Sequence, residues 1–260
     1  MTTLQEEFKK YSSIDSTSSY NKLVAKQLAL FCALVYRTDD KKFVEDLLVH
    51  WGCQRVKLFD NQGTEAMCIK KDNNIILSLR GTEPNELADI LADINIIPKK
   101  ASNEKPGLVH SGFALALDKI WPRVQSFLDN IYEEGNCIYI CGHSLGGALA
   151  TVAAARSKYL CQVYTYGQPR VGSSKYSKNV KSKLYRHIRG CDIVPSVPLP
   201  IIYYHMGDIK VVDRHTKTVY DVHDYIRLGG IRFLQFMKNI ISPSKYVGDH
   251  DILGYYTDIN

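Results

Sequence analysis

Residues 139–148 read Tyr-Ile-Cys-Gly-His-Ser-Leu-Gly-Gly-Ala and contain a G-x-S-x-G motif centred on Ser144. The motif directly follows the apolar run 137–141, which is typical of a strand buried on both faces of a sheet. It directly precedes the alanine-rich, helical pattern of 145–159. A serine in such a strand-to-helix turn exposes its hydroxyl as a nucleophile. We therefore predict Ser144 to be a nucleophile. The alternative is a glycine-rich turn that packs a helix closely on a sheet.

The residue after this serine begins the predicted helix. The backbone N–H of Leu145 therefore lies at a helix N-terminus, where the helix dipole favours negative charge. An N–H in this position stabilises the oxyanion of a tetrahedral intermediate. We predict Leu145 to be an oxyanion-hole donor.

The patterns around the turn predict an α/β protein. The order strand, helix, strand from 137 to 166 requires a parallel, right-handed crossover. Two strand-like runs at 65–70 and 74–79, separated by Lys-Asp-Asn, predict an antiparallel hairpin. We expect a mostly parallel central sheet with an antiparallel N-terminal part.

Helical periodicity predicts the helices that pack on this sheet. Apolar residues recur at helical spacing in 20–36, a second short helix is predicted at 41–50, and a long one at 112–134, where Pro122 bends or splits it. The 260 residues fit a single α/β domain over 1–260, in which 1–19 form a polar tail or a short cap.

A nucleophilic serine needs an acid and a base that follow it in the chain. Asp192 is the preferred acid because it follows a candidate strand at 183–189 and precedes a proline-containing loop. A capping or turn residue is the alternative role for Asp192. The other candidate acids are Asp208, Asp213, Asp221, Asp224, Asp249, Asp251 and Asp258.

Four histidines follow the acid: His205, His215, His223 and His250. His250 lies in a loop-like stretch near the C-terminus, which suits a base that reaches Ser144 across the end of the sheet. His205 is expected to be a packed, hydrogen-bonded residue. His143, inside the motif, is expected to point away from the nucleophile and to be structural.

Six short patterns occur in register with a known family. They are L-R-G-T at 79–82, V-H-S-G-F at 109–113, G-H-S-L-G-G at 142–147, Y-T-Y-G-Q-P-R-V-G at 164–172, C-D-I-V-P at 191–195, and Asp249-His250 with Tyr255. In these patterns the chain resembles the class 3 lipase family, the fungal-lipase-like branch of the α/β-hydrolases.

The resemblance implies an α/β-hydrolase fold with helices on both faces of the sheet. It implies Ser144, Asp192 and His250 as a catalytic triad. It also implies that the backbone N–H groups of Thr82 and Leu145 form an oxyanion hole, to which the Thr82 hydroxyl adds a third bond. A lipase-type serine ester hydrolase needs no cofactor, and no metal site is expected.

The family carries a lid after its oxyanion loop, and here that place is taken by 83–97. Apolar residues in this segment are spaced for one helical face. The two interpretations of 83–92 are an amphipathic lid that opens at a lipid–water interface and an ordinary helix packed on the core; from Asp93 onward we favour the core helix. The apolar stretch 228–241 is interpreted as a buried helix, with an acyl groove or membrane contact as the alternative.

Composition excludes several protein classes. The chain is 45% apolar and 23% charged, carries a formal charge of +6 without a long basic block, and has an odd number of cysteines, seven. These values disfavour a nucleic-acid-binding protein and a disulfide framework. Because the N-terminus also lacks a secretory signal pattern, we expect a cytoplasmic location, with non-classical export as the alternative.

We predict hydrolysis of acylglycerols or similar lipid esters. A phospholipase and a small-ester carboxylesterase are the alternatives within enzymes. The alternative of another class is a non-catalytic protein that binds a lipid or a partner on the same fold. The sequence does not indicate whether the protein is a monomer or an oligomer.

Overall fold

The computed structural model describes residues 4–82, 98–100, 107–198, 200–228 and 248–260. Eight strands form the central sheet in the spatial order β1-β2-β3-β6-β7-β8-β9-β10. Their bounds are β1 Arg55–Asn61, β2 Thr64–Lys71, β3 Asn74–Leu79, β6 Cys137–His143, β7 Gln162–Tyr166, β8 Lys183–Arg189, β9 Asp208–Asp213 and β10 Thr218–Asp221. Two short strands, β4 Pro98–Lys100 and β5 Leu108–His110, form a separate antiparallel pair.

The direction of the strands changes along the sheet. Strand β2 is antiparallel to both β1 and β3. Strands β3, β6, β7, β8 and β9 are parallel, and β10 closes the far edge as an antiparallel hairpin with β9. The expected antiparallel beginning and parallel centre are therefore confirmed. The carboxyl ends of β6, β7 and β8 lie side by side at one edge, which is where ligands bind in open α/β sheets.

Helices cover both faces of the sheet. Their bounds are α1 Leu4–Phe8, α2 Lys22–Leu34, α3 Lys41–His50, α4 Ser111–Asp118, α5 Trp121–Ile131, α6 Leu145–Arg156, α7 Ser174–Asn179, α8 Val222–Leu228 and α9 Ile252–Asp258. One apolar cluster joins α4, α5 and α6 to the sheet, and a second joins α2, α3 and α9 to its other face. None of the helices among the described residues is long and apolar enough to cross a membrane.

Two local outcomes refine the sequence-based prediction. The helical pattern at 112–134 is split into α4 and α5, and Pro122 lies at the start of α5, where its missing N–H costs no intrahelical bond. Strand β1 was not predicted. It is an edge strand, in which exposed Arg55 and Lys57 alternate with half-buried Val56 and Leu58, so the alternating pattern covers only four positions.

The N-terminal segment packs on the molecule. Phe8 is buried, and its ring meets those of Phe31 at 5.2 Å and Trp51 at 5.8 Å between centroids. The hydroxyl of Tyr139 donates to the carbonyl of Asp15 at 2.7 Å. Of the two interpretations of 1–19, the described residues 4–19 therefore have the character of a short cap, not of a loose tail.

The candidate lid at 83–97 lies outside the described residues. So does most of the apolar stretch 228–241.

Candidate active site

Ser144 occupies a strained turn between β6 and α6. Its backbone angles are φ 57° and ψ −127°, and it is only 3% exposed. A non-glycine residue with positive φ costs about 1–3 kcal/mol and persists only where the surroundings enforce it. The close packing around Ser144 requires two glycines. A Cβ on Gly142 would overlap the carbonyl of Gly146, and a Cβ on Gly146 would overlap the carbonyl of Leu79.

Asp192 and His250 meet although 58 residues separate them. Asp192 follows β8, and His250 precedes α9. The Nδ1–H of His250 donates to the carboxylate of Asp192, at 2.9 Å from Oδ1 and 2.8 Å from Oδ2. Both side chains are buried. The backbone N–H of Val194 also donates to Oδ1, at 3.0 Å, so the acid has a fixed orientation.

A tyrosine completes the surroundings of the acid. The Tyr255 hydroxyl donates to Oδ2 of Asp192 at 2.6 Å and accepts the backbone N–H of Arg189 at 3.0 Å. Burial, followed by the negative charge of Asp192, raises the pKa of Tyr255 well above its usual range. The phenol therefore stays protonated and remains a donor to the carboxylate.

The second nitrogen of His250 has no hydrogen-bond partner among the residues that the structure describes. Its Nε2 is buried and accepts no bond from Ser144 or from any other residue in the described ranges. The His250 ring lies 4.4 Å between centroids from His143, the residue that precedes Ser144. Bonds between a nucleophile and its base are often long in unliganded sites and tighten when substrate binds. Nε2 therefore carries a lone pair to which no described residue donates a hydrogen bond, and it lies close to the turn that carries Ser144.

Thr82 and Leu145 line the same cleft, which has a volume of about 390 Å³. Leu145 is the first residue of α6, so its N–H has no acceptor within the helix. Thr82 follows β3 and Gly81. Behind it, Arg80 forms an ion pair with Glu65 at 2.6 Å, and Glu65 also accepts a hydrogen bond from the Thr38 hydroxyl. The cleft therefore joins the two predicted oxyanion-hole residues.

Residues close to Asp192 in sequence form hydrogen bonds with residues close to His250 in sequence. The carboxylate of Asp249 accepts the backbone N–H of Cys191 at 2.7 Å and forms an ion pair with Arg214 at 2.5 Å. Arg189 donates to the Gly248 carbonyl at 3.0 Å and to Asp258 at 2.7 Å. These contacts fix both ends of the segment that carries His250.

The other candidate bases lie elsewhere in the fold. His215 is in the β9–β10 turn, where its backbone N–H donates to Asp213, and His223 is on α8. His205 is half-buried, and burial, followed by the charges of Arg186 and Arg170, lowers its pKa to about 3. His205 is therefore neutral, as a packed residue should be.

Most of the other candidate acids have other partners. Asp221 pairs with Lys210, Asp258 with Arg189 and Asp249 with Arg214, while Asp213 holds the β9–β10 turn and Asp251 caps the N-terminus of α9. Asp208 begins β9, and Asp224 lies in the first turn of α8. Among the described residues, no three His, Cys, Asp or Glu side chains group in a way that could hold a metal ion.

Sequence patterns indicated Tyr255 only as part of a motif, and they missed Arg189. Arg189 ends a strand, and nothing in its local sequence indicates that its partners lie near residues 248–258. The contact is between distant parts of the chain and becomes visible only in three dimensions.

Several known lipases are similar to this chain in sequence. Residues 76–201 match the family model of lipase (class 3). The chain is 36% identical over 104 residues to secreted mono- and diacylglycerol lipase 1 of Fusarium solani, covering 36% of this chain and 31% of that protein. It is 33% identical over 102 residues to lipase ZK262.3 of Caenorhabditis elegans, covering 35% and 29%. It is 26% identical over 226 residues to the lipase of Rhizomucor miehei, covering 80% and 59%. The chain thus spans less than two thirds of each of these relatives.

Solved structures share the fold. The native Rhizomucor miehei lipase propeptide complex superimposes with a TM-score of 0.65 at 20% identity, covering 76% of this chain and 73% of that chain. The lipase of Rhizopus microsporus var. chinensis gives a TM-score of 0.61 at 24% identity, covering 76% and 79%. The α/β-hydrolase fold of the fungal lipases is therefore confirmed. Residues 76–201 thus match the family model of the class 3 lipases, and the described chain has the fold of the fungal lipases.

Proposed function

We propose that the protein is a lipase-type serine ester hydrolase, with Ser144 as nucleophile, His250 as general base and Asp192 as the acid that orients the base. The observation that carries the proposal is the buried Asp192–His250 hydrogen bond beside a serine held at positive φ. A strained turn and a buried carboxylate both cost stability, and a catalytic role accounts for both costs.

The reaction proceeds in two halves. The Ser144 hydroxyl oxygen attacks the ester carbonyl carbon, and its proton moves to Nε2 of His250. The imidazolium then protonates the leaving alcohol, which leaves an acyl-enzyme. A water molecule, deprotonated by His250, attacks the acyl carbon and releases the carboxylic acid and free Ser144. Asp192 keeps the proton on Nδ1 and stabilises the imidazolium.

The negative oxygen of each tetrahedral intermediate needs donors. We assign this role to the backbone N–H groups of Thr82 and Leu145, which border the same cleft. The Thr82 hydroxyl is available as a third donor. One such donor contributes about 3–4 kcal/mol to stabilisation of the transition state.

Acylglycerols or similar lipid esters are the proposed substrates, met at a lipid–water interface. Apolar side chains near the acid and base in sequence are exposed: Ile193 by 38%, Leu253 by 42%, Ile202 by 40% and Ile201 by 77%. Solvent-facing apolar residues of this kind favour contact with lipid. Because phospholipase A1-IIgamma of Arabidopsis thaliana is 32% identical over 116 residues, phospholipids are the second candidate substrates.

The first experiment tests the nucleophile. Ser144→Ala should lower p-nitrophenyl ester hydrolysis by at least about 10³-fold and abolish labelling by a fluorophosphonate probe. Ser126→Ala, which changes an exposed serine on α5, is the matched control and should behave like the wild type. Labelling of the Ser144→Ala protein, or unchanged turnover, would refute the assignment. A wild-type protein that neither hydrolyses nor labels would instead indicate a binding protein on the same fold.

The second experiment tests the substrate class. We expect hydrolysis of long-chain acylglycerols to rise when the substrate is presented in micelles. If dissolved short esters are hydrolysed as fast as long-chain acylglycerols in micelles, the protein is a carboxylesterase. If phosphatidylcholine is hydrolysed faster than diacylglycerol, the protein is a phospholipase.

A further inference from the structure

Tyr36 lies outside the family match at 76–201 but reaches the candidate active site. It is in the short 3-10 turn Val35–Arg37 that ends α2. Its hydroxyl is 3.0 Å from Nδ1 of His143, and Nε2 of the same histidine is 2.5 Å from the backbone carbonyl of His250. A continuous chain of hydrogen bonds therefore runs from the turn at the end of α2 to the backbone of the proposed base.

The direction of each bond follows from its chemistry. A carbonyl oxygen only accepts, so the His143 nitrogen that faces it, Nε2, carries the proton. In a neutral imidazole the other nitrogen is then an acceptor, and the Tyr36 hydroxyl donates to it. The Tyr36 hydroxyl thus selects the tautomer of His143 that can hold the His250 carbonyl.

The histidine is also kept neutral. It is buried, and burial, followed by the proximity of His250, lowers the pKa of His143 well below its usual value. The groups that face it are Tyr36, His250 and, at 6.2 Å between ring centroids, Tyr255. A charged His143 would repel the imidazolium that His250 becomes during the reaction. A neutral ring holds the base without opposing its protonation.

The same tyrosine also touches the oxyanion loop. A side chain on Gly81 would overlap the Tyr36 hydroxyl and the His143 carbonyl, and its Cβ would lie 3.3 Å from Cβ of Ser144. The Arg80 guanidinium lies 5.7 Å from the centroid of the Tyr36 ring. One phenol therefore contacts the loop that leads to Thr82 and, through His143, the loop of the base.

We propose that Tyr36 and His143 are positioning residues, which hold the backbone of His250 through one directed chain of hydrogen bonds. The proposal rests on the proposed function, because it assigns a purpose to the geometry of His250. A purely structural role for the pair would affect stability alone. A positioning role changes turnover more than substrate binding, because the base is misplaced while the substrate site is intact.

The kinetic test uses variants that separate hydrogen bonding from packing. His143→Gln keeps an N–H donor for the His250 carbonyl, and we expect its kcat to stay within about threefold of the wild type. His143→Leu removes the donor and should lower kcat by about tenfold, which is the value of one hydrogen bond, with KM within twofold. Tyr36→Phe keeps the ring and should lower kcat about three- to tenfold.

Tyr139→Phe is the matched control. Its hydroxyl also donates to a backbone carbonyl, that of Asp15, but it lies outside the hydrogen-bond chain from Tyr36 to His250. We expect a similar loss of thermal stability with kcat unchanged. Equal kcat in Tyr36→Phe and Tyr139→Phe, or equal losses in His143→Gln and His143→Leu, would overturn the positioning role.

A spectroscopic test separates this proposal from the proposed function. Long-range proton–nitrogen NMR of protein labelled with ¹⁵N-histidine reports which nitrogen of each ring is protonated. We expect His143, assigned through His143→Gln, to be neutral with its proton on Nε2, and to lose this single tautomer in Tyr36→Phe. A proton on Nδ1 in the wild type would overturn the hydrogen-bond chain. The wild-type protein could give the expected spectrum and yet neither hydrolyse esters nor react with the fluorophosphonate probe. That result would refute the enzymatic function and the purpose assigned to the hydrogen-bond chain, but not the hydrogen bonds themselves.

Discussion

Gly167 gives the acid and base room to meet. It follows β7 with φ +58°, in the left-handed region that side chains rarely adopt. A Cβ at this position would lie 2.5 Å from Oδ2 of Asp192 and 2.6 Å from Nδ1 of His250. Both distances are far below van der Waals contact, so a methyl group here would enter the Asp192–His250 hydrogen bond itself.

The substitution Gly167→Ala should therefore separate the pair. We expect ester hydrolysis to fall by at least about 100-fold, because a base displaced by 1 Å loses activity on this order. Gly135→Ala is the matched control. Gly135 also has positive φ, +90°, but nothing lies within 4 Å of the place its Cβ would take. Both variants should lose about 1–2 kcal/mol of stability from backbone strain, and only Gly167→Ala should lose activity. Equal activities would contradict this account of the glycine.

Among the elements, α9 and β8 together hold the base in place. Arg189, at the end of β8, binds Asp258 at the end of α9 and the carbonyl of Gly248 before His250. The Arg189–Asp258 pair is almost fully buried, with side chains 10% and 7% exposed. Removal of Asp258 leaves the buried Arg189 charge with only the longer, 3.7 Å contact to the Asp249 carboxylate, which is costly.

Asp258→Ala should lower the free energy of unfolding by about 3 kcal/mol, measured by urea titration. The comparison is Asp46→Ala, which breaks the Lys42–Asp46 pair on α3, where the side chains are 84% and 59% exposed. An exposed pair with this spacing contributes little, because water screens the attraction between the two charges. If the two variants lose the same stability, Arg189 does not anchor α9 as described.

The same elements indicate what could be predicted from sequence. Local periodicity identified α2, α3, the β2–β3 hairpin and the turn at Ser144, because each of these has a pattern of its own. The fold class followed from the order of those elements. Strand β1, at the sheet edge, was missed because its alternation of polar and apolar residues covers only the four positions 55–58.

The parts of the site that escaped prediction depend on contacts between distant residues. The reach of Tyr36 to His143 spans 107 positions, and that of Arg189 to Asp258 spans 69. Neither Tyr36 nor Arg189 differs locally from an ordinary residue of its helix end or strand. His143 was expected to be structural, yet its two hydrogen bonds are defined only once α2 and the loop of His250 are in place.

At the scale of the whole molecule, buried histidines make the free energy of unfolding depend on pH. The ring of His187 is fully buried, its Nδ1 bonds to the Thr165 carbonyl at 3.0 Å, and the Tyr20 hydroxyl lies 3.2 Å from its Nε2. Burial, opposed only in part by the Thr165 carbonyl, lowers the pKa of His187 to about 3. The positive charge of Lys210, which lies over the Tyr20 ring, contributes a smaller part of this lowering. His143 and His205 also have lowered pKa values, so three neutral histidines are enclosed in the described part of the fold.

Each of these histidines should make the protein less stable in acid. Between pH 6.5 and about 3 the unfolded chain binds a proton at His187 that the folded protein does not bind. The free energy of unfolding therefore falls as pH drops through this range, by about 1.4 kcal/mol per pH unit for one histidine. From pH 7 to pH 5, His187 alone should account for about 2 kcal/mol of the loss. In His187→Gln the difference between urea unfolding at pH 7 and pH 5 should shrink by that amount. An undiminished difference in His187→Gln would mean that His187 takes up a proton in the folded protein, and that the Tyr20–His187 contact is not the neutral hydrogen bond described.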